Sequence, residues 1–335
     1  MKSPDLTAIE IPAGRKLVPG QRVVPTLGVV IATIGRREIV AETIHSLASR
    51  KSVPAIVVVV GRNENDLPKL PVELPFQIQL SATIERGLSI ARNYGIRLLP
   101  ASVEFVVFLD DDMELHDDYC AEVENVFRSA PEVAGFSGYM MANGDIERVP
   151  ARQRLDGYQI PSDMPVFGLN PKRWPGLYGC AMNIRRRVLG VEQFDEQLLL
   201  GMEDIEMGFR VNRHGLVGGS ARCAVAHLAV RSGRISEVGI GYAQIINPLY
   251  FAAKGIGYPR WSTWWQTLVK MPLTNLFFWW FPALDKSRSL ADRRGRFRGN
   301  ILGLRDVCRG EIKPLNLLRV LEKLKEAGKR EAKKN

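Results

Sequence analysis

The chain has 335 residues, 46% of them apolar and 24% charged, the composition of a soluble globular protein with a sizeable core, in one large domain or two smaller ones. Its formal net charge of +10 falls wholly in residues 286–335, which hold 16 Lys or Arg against 6 Asp or Glu, while residues 1–285 carry 30 of each sign. Such asymmetry suggests a basic tail meeting a polyanion, either anionic lipid or nucleic acid. Residues 1–25 are polar, bear prolines, lack an apolar run of signal-peptide length and read as an irregular lead-in. Leu27–Thr33 is short, apolar and β-branched, the pattern of a buried parallel strand. Ile34-Gly35-Arg36 makes a turn, and Arg37–Arg50 has helical spacing with Ile39, Val40, Ile44 and Leu47 on one face. Ala55–Val60 is a second buried strand. Strand, helix and strand in this order predict a right-handed crossover and an α/β sheet, in which ligands bind beyond the carboxyl ends of the strands.

Gly61–Pro68 follows as a polar loop, then a short strand at Phe76–Leu80 and a helix over Gly87–Leu99. Glu104–Leu109 is a fourth strand. It runs straight into Asp110-Asp111-Asp112. Like charges packed together repel and raise one another's pKa unless a cation sits among them. A hard divalent cation suits such a cluster, and commonly shares its carboxylates with substrate phosphates. By strand alternation, Asp110 and Asp112 face one side and Asp111 the other. A solvated turn is the competing reading. Tyr119–Ser129 is helical and stops before Pro131. Val133–Met140 is a strand, and Asn143-Gly144 signals a hairpin turn. Residues 150–176, rich in Pro and Gly, read as a long loop over the site. A helix begins near Glu203 and runs to His214, with Gly215 as its stop. Arg222–Ala229 is a last short strand carrying His227.

VVIATIGR (29–36), GLSIARNYGI (87–96), VVFLDDDMEL (106–115) and the segment 179–215, with its GMEDIE, come in the order and spacing of family 2 glycosyltransferases. Over residues 27–255 the chain resembles that family. The resemblance implies the GT-A fold, an α/β architecture with a mostly parallel sheet flanked by helices. It also implies an inverting transfer of a sugar, expected to be hexosyl, from a nucleotide-diphosphate sugar (UDP-, dTDP- or GDP-linked), with Mn²⁺ or Mg²⁺ as cofactor. The D-x-D motif of the family falls on Asp110 and Asp112. Asp112 is then a metal ligand, Asp110 contacts the ribose or the metal's waters, and Asp111 stands beside them. Ala32, Thr33 and Arg36 line the donor pocket, and Arg92 and Asn93 match the family's A-R-N near the diphosphate. A surface salt bridge is the other reading of Arg92. The family's E-D pair falls on Glu203 and Asp204, with Asp204 as general base. The alternative is that these acids merely favour a helix N-terminus. His227 is a third metal ligand or a satisfied, partly buried histidine. One departure is clear: where the family commonly has an acidic residue after the second strand, this chain has Gly61-Arg62-Asn63, leaving Glu64 or Asp66 as substitutes.

Beyond the resemblance, Trp261, Trp264, Trp265, Phe277, Phe278, Trp279, Trp280 and Phe281 crowd together. The 14 residues between Lys270 and Asp285 are fewer than the about 20 that a span needs, so an interfacial anchor is expected, followed by Lys286, Arg288, Arg293, Arg294, Arg296 and Arg298 facing anionic lipid. An aromatic core is the competing reading. Leu315–Leu324 is an amphipathic helix. No recognition fold for nucleic acid is evident. Cys120, Cys180, Cys223 and Cys308 form no C-x-x-C pair, which argues against a cysteine zinc site, and nothing requires a disulfide. The expected division is a lead-in (1–26), a catalytic domain (27–255) and an aromatic, basic extension (256–335). The expected function is a glycosyltransferase at the inner, cytoplasmic face of the membrane, acting on a glycan or lipid-linked acceptor in bacterial surface polysaccharide synthesis. The rivals are a nucleotidyltransferase acting on a sugar phosphate and a non-catalytic module binding membrane or nucleic acid.

Overall fold

The computed structural model describes residues 9–11, 17–70, 73–144, 146–169, 176–199, 201–230, 236–257, 259–281, 284 and 290–332. The elements run β1 (Ile9–Ile11), β2 (Arg22–Ala32), α1 (Arg37–Ala48), β3 (Ser52–Gly61), β4 (Gln77–Ala82), α2 (Leu88–Leu98), β5 (Phe105–Leu109), β6 (Met113–Leu115), α3 (Tyr119–Ser129) and β7 (Val133–Asn143). They continue with α4 (Arg148–Asp156), β8 (Gly168–Leu169), β9 (Ala181–Arg185), α5 (Arg186–Leu189), α6 (Glu203–Val211), β10 (Leu216–His227), α7 (Glu237–Ala253), α8 (Arg260–Trp265), α9 (Met271–Trp280), α10 (Leu290–Cys308) and α11 (Asn316–Ala332). A 3-10 turn covers Glu64–Asp66, and a π-helical turn, Gln266–Lys270, joins α8 to α9. The chain divides into two compact units: Met1–Phe194 with Met207–Gly233, and Asp195–Glu206 with Arg234–Asn335.

The first unit is built on one sheet, in the order β1-β4-β3-β2-β5-β9-β7-β10-β6, with β8 beside β10. Strands β4, β3, β2 and β5 are parallel, with Val29 level with Val57 and Val107. Strands this apolar are stable only when both faces are covered. Alternation divides them: Val29, Ile31, Val57, Val59, Val107 and Leu109 pack in the core on the α1 and α3 side. Val30, Val58, Val60, Val106 and Phe108 pack with Ala91 and Tyr94 of α2 and with Met207 and Val211 of α6. Gly95 lets α2 lie against β2, since a Cβ there would stand 2.4 Å from Val30 Cγ1. All four parallel strands end at one edge of the sheet, and the donor-site candidates gather there.

Several expectations are corrected. The lead-in is not all irregular: β1 pairs antiparallel with β4, and β2 begins at Arg22. Asn143-Gly144 does not close a hairpin. Gly144 turns with φ +82°, but β7 pairs with β9 and with parallel β10, and the chain goes on into α4. Residues 150–176 are not one loop, because α4 covers Arg148–Asp156 and buries Ala151 and Leu155. Pro150 lies in its first turn, where an N–H has no helical partner to lose. The last strand, β10, runs 12 residues rather than eight.

The second unit is helical. Helix α7, grouped with the catalytic domain from sequence, here packs with the C-terminal helices. Helix α10 lies along α7 at backbone distance. A Cβ on Gly299 would meet Val238 O at 2.1 Å, and one on Gly241 would meet Arg296 O at 2.1 Å. Tyr242 and Ile246 pack with Leu317 and Val320 of α11. Tyr242 donates its buried hydroxyl to Asp306 Oδ2 at 2.7 Å. Lys286 and Arg288 lie outside the described residues.

Candidate active site

Strand β5 ends at Leu109, and the three aspartates form the turn into β6. Asp111 points to the end of β2. Its Oδ2 accepts from the Thr33 hydroxyl at 2.7 Å, and its Oδ1 accepts from Arg36 Nη1 at 2.7 Å. Ala32, half-buried, is the last residue of β2, level with Val60. Arg36 also donates to Val230 O at 2.6 Å, which ties the loop after β2 to the segment after β10. Asp111 is buried, and burial pushes its carboxyl above the usual range despite Arg36 and Thr33. The loop after β2 thus grips the aspartate turn through a carboxylate that is itself removed from solvent.

Asp110 and Asp112 turn the other way and meet His227. The antiparallel pairing of β6 with β10 sets Met113 level with His227, which places that imidazole beside Asp112. One ligand atom from each of Asp110, Asp112 and His227 lies within 4.8 Å of the others. Asp112 is fully buried; its Oδ2 accepts from the Val230 amide at 2.8 Å and lies 3.5 Å from Arg36 Nη1. Its Oδ1 stands 3.0 Å from His227 Nε2. Burial raises the Asp112 carboxyl, but His227, the Val230 amide and Arg36 outweigh it and hold it below the usual range. His227 Nδ1 is 2.9 Å from Asn143 Oδ1, a contact that orients the ring with Nε2 toward Asp112 Oδ1.

That pair tests whether a metal fits. The two ligand atoms stand 3.0 Å apart. Neighbouring ligands of an octahedral ion at about 2.1 Å are themselves about 3 Å apart. An imidazole held through its outer nitrogen, a buried carboxylate and a half-exposed carboxylate form an acceptable donor set for Mn²⁺ or Mg²⁺, and the imidazole favours the former. The sequence marks Asn143 only as a turn residue and carries no signal for its contact with His227.

Arg92 is buried, so the surface salt-bridge reading fails. It donates to Gly179 O at 2.9 Å and comes within 3.6 Å of Asp110 Oδ1. Asn93, its neighbour on α2, is placed differently. Its Nδ2 donates to Phe194 O and its Oδ1 accepts from Phe194 N, both at 2.9 Å. The Asn93 amide is engaged by the backbone of Phe194 rather than aimed at the aspartates. Asp66 is likewise engaged: Gly35 N donates to Oδ1 at 2.7 Å, and Arg62 N and Asn63 N donate to Oδ2 at 3.1 and 3.2 Å. A carboxylate holding three amides is a loop fastener.

Glu203 and Asp204 open α6 and belong to the second unit. Glu203 is buried, and Asp204 Oδ1 accepts from the Ile205 amide at 2.8 Å. The approach to this helix is strained. Gly201 and Met202 have φ of +76° and +67°, a conformation that is uncommon for a long side chain and often found at functional sites. Asn247, buried on α7, donates to Gly201 O at 2.7 Å and fastens that turn. Its distance in sequence from the acidic pair hid this role.

The sequence pattern described as "Glycosyltransferase like family 2" matches residues 25–234. The chain belongs to this family. The GT-A fold of family 2 is the mixed, mostly parallel sheet with flanking helices described above. Among solved structures, the chain is similar to the mannosyltransferase PcManGT from Pyrobaculum calidifontis in complex with GDP-Man and Mn²⁺, at 16% identity and a TM-score of 0.49, over 93% of this chain and 89% of that one. It is similar to S. aureus TarS 1–349 in complex with UDP-GlcNAc, at 14% identity and a TM-score of 0.49, over 90% and 92% of the two chains. A longer TarS structure is matched over only 43% of its length. GalNAc-T7 with UDP, GalNAc and Mn²⁺ matches at 15% identity and a TM-score of 0.45, over 87% of this chain and 59% of that one. No curated protein matches the sequence of this family 2 chain.

Proposed function

We propose that the protein is an inverting, metal-dependent glycosyltransferase that moves a sugar, most simply a hexosyl group, from a nucleotide-diphosphate sugar to a hydroxyl of a glycan or lipid-linked acceptor. The observation that carries the metal-dependent donor site is the 3.0 Å approach of His227 Nε2 to the buried Asp112 Oδ1, with Asp110 beside them. A divalent ion held there supplies charge neutralisation to the departing diphosphate. Asp110, Asp112 and His227 would hold the ion. Arg92, brought within reach of Asp110, adds a cation on the same side. Thr33, Arg36 and Asp111 hold the ends of β2 and β5 in place around the nucleotide.

Asp204 takes the proton of the acceptor hydroxyl. The acceptor oxygen then bonds to the anomeric carbon from the face opposite the leaving group, the bond from that carbon to the diphosphate oxygen breaks, and the nucleoside diphosphate departs. No enzyme nucleophile is needed, so the anomeric configuration inverts. Assembly of a bacterial surface polysaccharide is the setting we infer from the resemblance of the sequence and its basic C-terminal segment.

The test is a panel of UDP-, dTDP- and GDP-sugars with Mn²⁺ or Mg²⁺ and a set of polyprenyl- and glycan-type acceptors, followed by release of nucleoside diphosphate. Metal-dependent release with one donor class is the expected result. Pyrophosphate release from a nucleoside triphosphate and a sugar phosphate would replace this reading with nucleotidyl transfer.

A further inference from the structure

From Arg260 to Trp280 the second unit runs helically through α8, the π turn and α9, and this run is built inside out. The residues it buries are Thr263, Thr267, Pro272 and Asn275. Thr263, Thr267 and Asn275 follow a spacing of four, with half-buried Met271 between, and so share one face. Beside Arg260, Gln266 and Lys270, the residues it exposes are apolar: Trp261 is 76% exposed, Trp265 61%, Trp280 72%, and Leu273, Phe277 and the adjoining Phe281 about half. A helix facing water does the opposite. The reading of these aromatics as a packed core is therefore not what the structure shows.

The inward side uses polar and glycine contacts. Asn275 Nδ2 donates to Asn300 Oδ1 at 2.7 Å, and Asn300 Nδ2 donates to Gly241 O at 2.8 Å. Gly295, Gly299 and Gly303 recur every fourth residue along α10, where it touches α7. Helices pair through small residues and interhelical amides where their surroundings are apolar and offer no hydrophobic drive to associate. Charge points the same way. Residues 238–284 contain no Asp or Glu and three cations, Lys254, Arg260 and Lys270. The Arg294 guanidinium lies 5.6 Å from the Trp279 ring and that of Arg293 lies 4.7 Å from Phe278. Arg294 and Arg298 are exposed. No helix among the described residues is long and apolar enough to cross a membrane.

We infer that this face docks on the surface of an anionic bilayer. The tryptophans sit at the boundary between head groups and acyl chains, where their rings are favoured. Arg294 and Arg298 meet lipid phosphates. The inference does not depend on the donor reading.

The experiment is flotation of the full chain with vesicles of phosphatidylcholine alone or mixed equally with phosphatidylglycerol, read with tryptophan emission and quenching by brominated acyl chains. Binding to the anionic vesicles, a blue shift and quenching are expected. Combined Trp261→Ser, Trp265→Ser and Trp280→Ser should weaken partition about tenfold for each ring removed. Arg294→Gln with Arg298→Gln should weaken it about fivefold per charge on anionic vesicles only. All five positions are exposed, so an unchanged melting temperature checks that the variants fold. No flotation, or flotation that the triple variant retains, overturns the proposal. A lipid-free dimer that the triple variant dissociates, without vesicle binding, assigns the face to a second copy and also overturns it. Nucleoside diphosphate release by the same variants separates the two readings: flotation without turnover leaves docking standing and removes the donor reading.

Discussion

Asp112 combines full burial with a carboxylate held in its charged form, and its replacement separates binding from folding. Asp112→Ala should lower metal-dependent donor turnover by about a hundredfold or more, a loss comparable to that of a principal metal contact. Turnover within a few-fold of the parent would remove Asp112 from the metal site. Asp204→Asn keeps the shape and loses the base. It should leave donor affinity in place and cut transfer by about 10²–10⁴-fold, measured as acceptor-dependent release against a donor-binding titration. Retained transfer would reject Asp204 as base.

Asp195 gives a pH test. It accepts from Lys254 at 2.6 Å and Tyr250 at 2.9 Å. Burial raises its carboxyl, but Lys254, the Gln197 amide and Tyr250 outweigh burial and lower it. Its contribution is thus present above the unfolded value of about 3.9 and is lost as pH falls through the folded one. Asp195→Asn should cost about 1–2 kcal/mol at neutral pH, and the melting difference should close in acid. At this scale the placement of the aspartates was legible, because an apolar strand that ends in three charges stands out in the sequence, whereas their roles came only with the resemblance. Asn143 and Asn247 were not legible. An amide that positions another residue leaves no pattern of its own, and the two contacts join positions about 84 and 46 apart in the chain.

At the scale of elements, the periodic ones could be read. Residues 119–129 were expected to be helical and are, and the buried strands were found by their unbroken apolar runs. Helix α4 was hidden because Pro150 and a strongly polar composition suppress the pattern, although only Ala151 and Leu155 need to reach the core. The contact of α7 with α10 was also hidden, since glycine spacing shows what can come close and not what does. That contact is testable. Gly299→Val would bring a Cβ to 2.1 Å from Val238 O, and backbone cannot give way as a side chain can. A loss of about 3 kcal/mol or more is expected, seen as a lower denaturant midpoint. Gly310→Ala, at a site with open space but φ +73°, should cost only about 1 kcal/mol.

For the whole molecule, metal should act as a stabilising ligand. Mn²⁺ at a hundred times its dissociation constant adds about 2.7 kcal/mol, so the melting temperature should rise with Mn²⁺ and fall back with chelator. In Asp112→Ala the rise should vanish. A full rise in that variant would place the ion elsewhere.

The sheet order has a further meaning for how the protein is made. Strand β6 carries the chain out of the aspartate turn, yet its partner β10 lies roughly a hundred residues later. On a ribosome adding about 5–20 residues each second, the three aspartates emerge many seconds before His227. Early in that interval the β5 edge lacks β9, and the β10 ladder that closes the sheet beyond it is missing until the end. Non-local pairing of this kind slows folding and leaves strand edges open to misassociation. The nascent chain should therefore show a window in which its carboxylates bind cations loosely and a holding chaperone guards the unfinished edge, ending when residue 227 clears the exit tunnel.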